Sequence, residues 1–422
     1  MHELRNYSLV TVVYWSFTLT DGALRMLVLL HFHGLGYSPI QLAFLFLFYE
    51  FFGIVTNLVG GWVGSRLGLT VTLWAGTALQ IVALLMLVGL DPSWSVALST
   101  AYVMVAQALS GIAKDLTKMS SKSAIKFLVP GDLPSSLFKW VALLTGSKNA
   151  LKGVGFFLGG LLLAVLGFNH SLIAMAVGLG VILLGSIVLL PREIGKAKKP
   201  KAFAALFAKS QDINVLSAAR FFLFGARDIW FVVGVPIFLA TSLGWSFTHV
   251  GSFLALWIIG YGLVQSVAPA LISRWTAGRW TAGNAPTGRA AMVLAFTLAG
   301  SVALIPLGLL SGMNASVAVL VGLGIFGVVF AINSSVHSYL VLAYSDGDEV
   351  ATNVGFYYMA NAGGRLVGTL LSGVVYQFGG LLACLWTSVA FALVAGAISC
   401  WLPRTGSSLQ LIGMAGDGGG SD

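Results

Sequence analysis

The apolar residues of this chain fall in long, nearly unbroken runs rather than in strand-like alternation or a narrow helical stripe. A helix rises about 1.5 Å per residue, so about 20 apolar residues cross the hydrocarbon core of a bilayer. Runs of that length occupy residues 7–31, 40–63, 70–90, 94–113, 140–166 and 170–190, then 213–241, 249–273, 290–310, 315–342, 351–377 and 381–402. They predict an all-α membrane protein with twelve transmembrane helices in two bundles of six, and the lipid bilayer as its surroundings. The first run is too long for a cleaved signal peptide and carries Asp21 and Arg25 in its middle, so insertion without cleavage is expected.

The expected organisation is an N-terminal bundle over 1–190, a basic connector over 191–212, a C-terminal bundle over 213–403 and a glycine-rich, disordered tail over 404–422. The two bundles repeat one another. A shift of 208 residues brings Asn6 onto Asn214, LGYS at 35–38 onto LGWS at 243–246, and Ser65-Arg66 onto Ser273-Arg274. Near the same offset, Gly155 and Gly159 match Gly364 and Gly368.

Composition agrees with the pattern: 58% of residues are hydrophobic and 9% charged, against about 25% charged in a soluble domain. The net charge of +9 is placed by topology and does not call for a nucleic-acid partner. The loops 34–39, 91–93, 167–169, 242–248, 311–314 and 378–380 contain no lysine or arginine, which puts them outside and both termini in the cytoplasm. Cys384 and Cys400 share the last span, too far apart along one helix to bridge, so no disulfide and no cysteine metal site is expected.

Ionisable side chains inside the runs carry the candidate chemistry, because a charge in hydrocarbon costs several kcal/mol unless paired, hydrated or snorkelling. Lys148 and Lys152 lie one turn apart on one helical face with nothing acidic nearby in sequence, and that face suits an anion. Snorkelling is the alternative for both, and for Arg220 near the inner end of its span. Asp21 and Arg25 are spaced for an internal ion pair. Glu50 falls near the midplane as a proton site or charge partner, with Asn57 two turns further in. Arg227 and Asp228 adjoin, and Asp21 with Arg227, or Arg25 with Asp228, would make a gating bridge between halves. Asn361 and Arg365 share a face of the eleventh run, and arginine's planar fork suits carboxylate, phosphate or arsenate oxygens. Glycines 355, 364, 368 and 373 beside them permit close helix packing.

Arg25, Lys148, Lys152, Arg220, Arg227 and Arg365 outnumber Asp21, Glu50 and Asp228, leaving three positive charges uncompensated and pointing to an anionic small molecule. Arg25, Lys148, Lys152, Arg227, Arg365 and Asn361 are the candidate substrate ligands; Asp21, Glu50 and Asp228 are the candidates for proton coupling or gating. Lys114, Lys118, Lys122 and Lys126 form a basic stripe that reads as a helix on anionic lipid, or as a collector of anionic substrate. The histidines, including His249 and His337, read as interfacial or hydrogen-bonded. No histidine-rich cluster, metal spacing or nucleophile motif supports an enzyme, and no cofactor is expected.

The turn GWVGSRLG at 61–68 resembles the loop signature of the major facilitator superfamily, with Ser65 where the acid is usual. The stretches covering 6–62, QALSGIAKDLTKMSSKSAIK and GSKNALKGVGFFLGG resemble the organoarsenical efflux permeases of that superfamily. That resemblance implies a monomer in the bacterial inner membrane that exports 1-arseno-3-phosphoglycerate by alternating access, as an antiporter. It also implies a functional partner, a glyceraldehyde-3-phosphate dehydrogenase that makes the cargo when arsenate replaces phosphate. A carrier of another phosphorylated organic anion fits the same charges.

Overall fold

The computed structural model describes residues 2–128, 134–192, 210–275, 281–282, 285–344 and 350–403. Residues 193–209 of the expected connector and the whole tail lie outside the described residues. So do the side chains of Ser65, Arg66, Lys122, Lys126, Ser273 and Arg274. The N-terminal half comprises α1 (His2–Gly34), α2 (Pro39–Leu45), α3 (Leu47–Leu67), α4 (Leu69–Val88), α5 (Val96–Leu128) and α6 (Pro134–Leu189). The C-terminal half comprises α7 (Gln211–Phe231), α8 (Gly234–Thr241), α9 (Phe247–Trp275), α10 (Gly288–Leu310), α11 (Ala315–Ala343) and α12 (Val350–Ser399). Between α9 and α10 the two-residue strands β1 (Thr281–Ala282) and β2 (Ala285–Pro286) pair antiparallel, a small departure from the all-helical expectation.

Helices and membrane crossings do not map one to one. α6 and α12 each turn back on a glycine in the left-handed region, Gly167 at φ 73° and Gly380 at φ 62°, and so supply two crossings apiece. α2 and α3 share one crossing, as do α7 and α8. Among the described residues, nine segments are long and apolar enough to span, two of them the double ones. With α1, which Asp21 and Arg25 interrupt, they give the twelve crossings read from the sequence.

The α7–α8 break was not expected from the hydropathy of 213–241. Pro236 explains it: its ring removes a backbone donor and collides with the carbonyl four residues earlier. Ser372 of α12 accepts from the freed amides of Val233 and Gly234 at 3.1 and 3.2 Å.

The repeat is visible in the backbone. Gly36 and Gly244, superposed by the 208-residue shift, both adopt left-handed φ, 86° and 64°. A β-carbon on Gly155 or Gly159 would overlap the Leu19 or Ala23 carbonyl of α1, and one on Gly364 would overlap the Phe221 carbonyl of α7. One on Gly368 would lie 2.8 Å from Asp228 Cβ. These glycine seams draw the fifth crossing onto the first and the eleventh onto the seventh, pairings the sequence did not specify; of the four expected to permit close packing in α12, Gly355 alone is loosely packed. Their consequence is local: Lys152 and Arg365 are carried to the interior beside α1 and α7.

Candidate transport cavity

A cavity of about 210 Å³ lies between the halves and is walled by both of them. Every candidate residue except Glu50 lines it, and Glu50, 0% exposed, sits directly behind. Asp21, Arg25, Lys148 and Lys152 enter from α1 and α6; Arg227 and Asp228 from α7; Asn361 and Arg365 from α12.

The charges pair across greater distances than sequence spacing suggests. Arg25 NH1 donates to Glu50 Oε1 at 3.2 Å, and Arg365 NH2 donates to the same oxygen at 2.5 Å. Arg365 Nε also reaches Asp228 Oδ2 at 3.1 Å, while Arg227 NH2 holds Asp228 Oδ1 at 2.5 Å. The expected Asp21–Arg25 pair is therefore not the one formed. Tyr49 Oη donates to Asp21 at 2.6 Å, leaving Arg25 to Glu50. The bridge between halves likewise runs through Arg365 and Glu50 rather than through Asp21–Arg227 or Arg25–Asp228. Arg365 is its hinge point, because it also binds the acid of its own half.

Three side chains belong here that sequence reasoning placed elsewhere. α5 continues as helix well beyond the apolar run that ends near 113, so Lys114, Asp115 and Lys118 turn into the cavity instead of lying on lipid. Asp115 is fully buried; Lys118 donates to it and, at 2.6 Å, to Asn57 Oδ1, while Lys114 Nζ lies 3.6 Å from the carboxylate. Lys114 also stands 4.0 Å above the Tyr49 ring. An acid within a run of lysines was the available signal. Arg220 does not snorkel: it is 4% exposed and donates to Asn361 and Ser334. Lys148 and Lys152 also face the cavity.

The cavity and the glutamate behind it thus bring together eight lysines and arginines and four acids, an excess of four positive charges. An aromatic wall completes the site, with Trp257 and Tyr261 stacked at 5.9 Å and Phe224 beneath both Arg220 and Arg227. His249 bonds Ser246 at 2.7 Å as expected, whereas His337 is fully buried with neither ring nitrogen hydrogen-bonded.

Repeat-related helical halves enclosing a charged cavity at membrane depth define a solute carrier. The profile of the Major Facilitator Superfamily matches residues 8–341, and the chain belongs to that superfamily of membrane transporters. No curated protein matches the sequence. Solved structures that share the fold include a POT family transporter in complex with a thioalcohol-conjugated peptide, at TM-score 0.72 and 13% identity over 93% of this chain and 95% of that one. A POT family transporter in complex with 5-aminolevulinic acid gives 0.71 and 14% over 94% and 95%. A bacterial homologue of the iron transporter ferroportin in its inward-facing state gives 0.70 and 14% over 94% and 98%.

Proposed function

We propose that this transporter exports an organic anion by alternating access, and that the anion is 1-arseno-3-phosphoglycerate, so that the protein confers arsenate resistance. The observation that carries the reading is the excess of four positive charges in a buried cavity sized for a small metabolite. Uncompensated cations at membrane depth are costly, and a ligand with phosphate and arsenate groups supplies the missing negative charge. The organoarsenical identity is supported by the sequence resemblance and by cysteine usage. A pentavalent arsenical needs no thiol, and Cys384 is buried beside Ser372, away from the charged side chains.

In this reading Arg25, Lys148, Lys152, Arg227, Arg365 and Asn361 make the binding cage, and Asp21, Glu50 and Asp228 gate it or exchange a proton. The bundles 1–190 and 213–403 rock about the cavity, joined by the basic connector 191–212. The protein works as a monomer in the bacterial inner membrane with both termini in the cytoplasm, fed by a glyceraldehyde-3-phosphate dehydrogenase. The test is arsenic accumulation in arsenate-sensitive cells expressing the protein with and without that dehydrogenase. A fall only when both are present supports the arsenylated cargo; a fall with the transporter alone points to free arsenate. The second reading, a carrier of another phosphorylated organic anion, fits the same charges and is favoured if accumulation changes in neither case while 3-phosphoglycerate still binds.

A further inference from the structure

The cations of the cavity are not equivalent. Arg25, Arg227 and Arg365 each donate to a buried carboxylate, and Lys114 and Lys118 both sit on Asp115. Arg220 differs: among the described residues it is the one cavity arginine with no carboxylate in salt-bridge reach. Its Nε donates to Asn361 Oδ1 at 2.9 Å, and its NH1 donates to the main-chain oxygen and Oγ of Ser334 at 3.2 and 3.1 Å. Its guanidinium lies 3.9 Å from the Phe224 ring centre and 5.1 Å from that of Tyr357.

Such a setting fixes the orientation of the fork while leaving its charge intact. Neutral acceptors and aromatic faces do not cancel a full positive charge, and a buried, uncompensated ion is the costly arrangement that a ligand relieves. Lys152 is the comparable group in the other half. Among the described residues no carboxylate lies in salt-bridge reach of it, and its Nζ stands 5.7 Å from the Phe156 ring centre. We infer that Arg220 is the C-terminal-half anchor for an oxyanion group of the transported ligand, with Lys152 its counterpart in the N-terminal half. Arg25, Arg227 and Arg365 complete the cage with their charge shared with the gating acids. Asn361, besides its place in the cage, and Ser334 aim Arg220. This assignment rests on the anion reading and narrows it: the ligand carries two anionic groups, one for each half, so its binding draws the halves together.

The experiment uses the purified full-length protein and 3-phosphoglycerate, a stable molecule with a phosphate at one end and a carboxylate at the other. Binding is followed by titration calorimetry. Arg220→Gln is expected to weaken binding at least roughly tenfold, and Arg220→Lys to restore only part of it, since the ammonium lacks the fork. Asn361→Asp is the variant that does not depend on removing the arginine. It supplies Arg220 with a carboxylate in nearly the same volume, so the protein should stay folded and yet bind the probe more weakly by a similar factor. Binding within twofold of the parent protein in both Arg220→Gln and Asn361→Asp overturns the assignment. Absence of saturable binding in the unsubstituted protein removes the anion reading itself and this assignment with it, a failure separable from one confined to the variants.

Discussion

Glu50 gives a single oxygen, Oε1, to two guanidiniums from different helices, and Arg365 spends two of its nitrogens on acids from different halves. Removing one partner of a buried ion pair strands the other charge, at about 3–5 kcal/mol. Arg365→Gln is therefore expected to lower the thermal midpoint in detergent sharply as well as to abolish export. Lys152→Gln removes a charge that, among the described residues, no carboxylate reaches in a salt bridge, so it should abolish arsenate resistance with its melting curve less changed than that of Arg365→Gln. Equal destabilisation by both would show that the two cations share one structural role. A double-mutant cycle on Glu50→Gln and Arg365→Gln should give a coupling of about 0.5–3 kcal/mol, as for neighbours in one network. Which residues bear charge was legible from the sequence, since so few ionisable side chains interrupt the runs. Which ones pair was not. The i, i+4 spacing of Asp21 and Arg25 permits a bond, but Tyr49 and Glu50 of α3 offer each of them a better-placed partner.

At the level of the element, close packing of α6 on α1 and of α12 on α7 depends on positions where a single methyl group has no room. Gly155→Ala would push into the Leu19 carbonyl and is expected to destabilise by about 1–3 kcal/mol, the usual cost of overpacking. Gly178, also helical, has nothing within 4 Å of where a β-carbon would sit, so Gly178→Ala should instead gain about 0.5–1 kcal/mol from helix propensity. Opposite shifts in thermal midpoint are the expected result. Two shifts of one sign would deny that the seam is tight. Ser372→Ala leaves the amides of Val233 and Gly234 without their side-chain acceptor and should cost about 1–3 kcal/mol by the same assay. The seams were readable as spaced glycines that recur in both halves. Helix ends were less so: Pro236 announces the α7–α8 break to anyone who looks past hydropathy, whereas the continuation of α5 is hidden because Lys114, Asp115 and Lys118, which face the cavity, end the apolar run.

On the scale of the whole molecule, the two halves pack tightly against each other at the end that holds the turns at Gly36 and Gly244. A β-carbon on Gly160 of α6 would lie 2.6 Å from the Phe247 oxygen of α9, and one on Gly251 of α9 would lie 2.9 Å from the Phe156 oxygen. A β-carbon on Gly373 of α12 would overlap Ala43 Cβ and the Pro39 carbonyl at α2, and nearby the Ile40 amide donates to Gln377 Oε1 at 3.3 Å. In the proposed orientation this is the outer end, so the structure is closed outward, and release of cargo requires these seams to part. Gly373→Leu would wedge one seam and bias the halves toward the outward-open arrangement. The reporter is a cysteine in place of Ala43, which is fully buried, in a background with Cys384 and Cys400 changed to alanine. A membrane-impermeant maleimide applied from outside should label it slowly in the parent background and faster once Gly373→Leu is added, with export lost. If Gly373→Leu folds and labelling stays slow, this seam is a fixed joint and the halves must move about another contact.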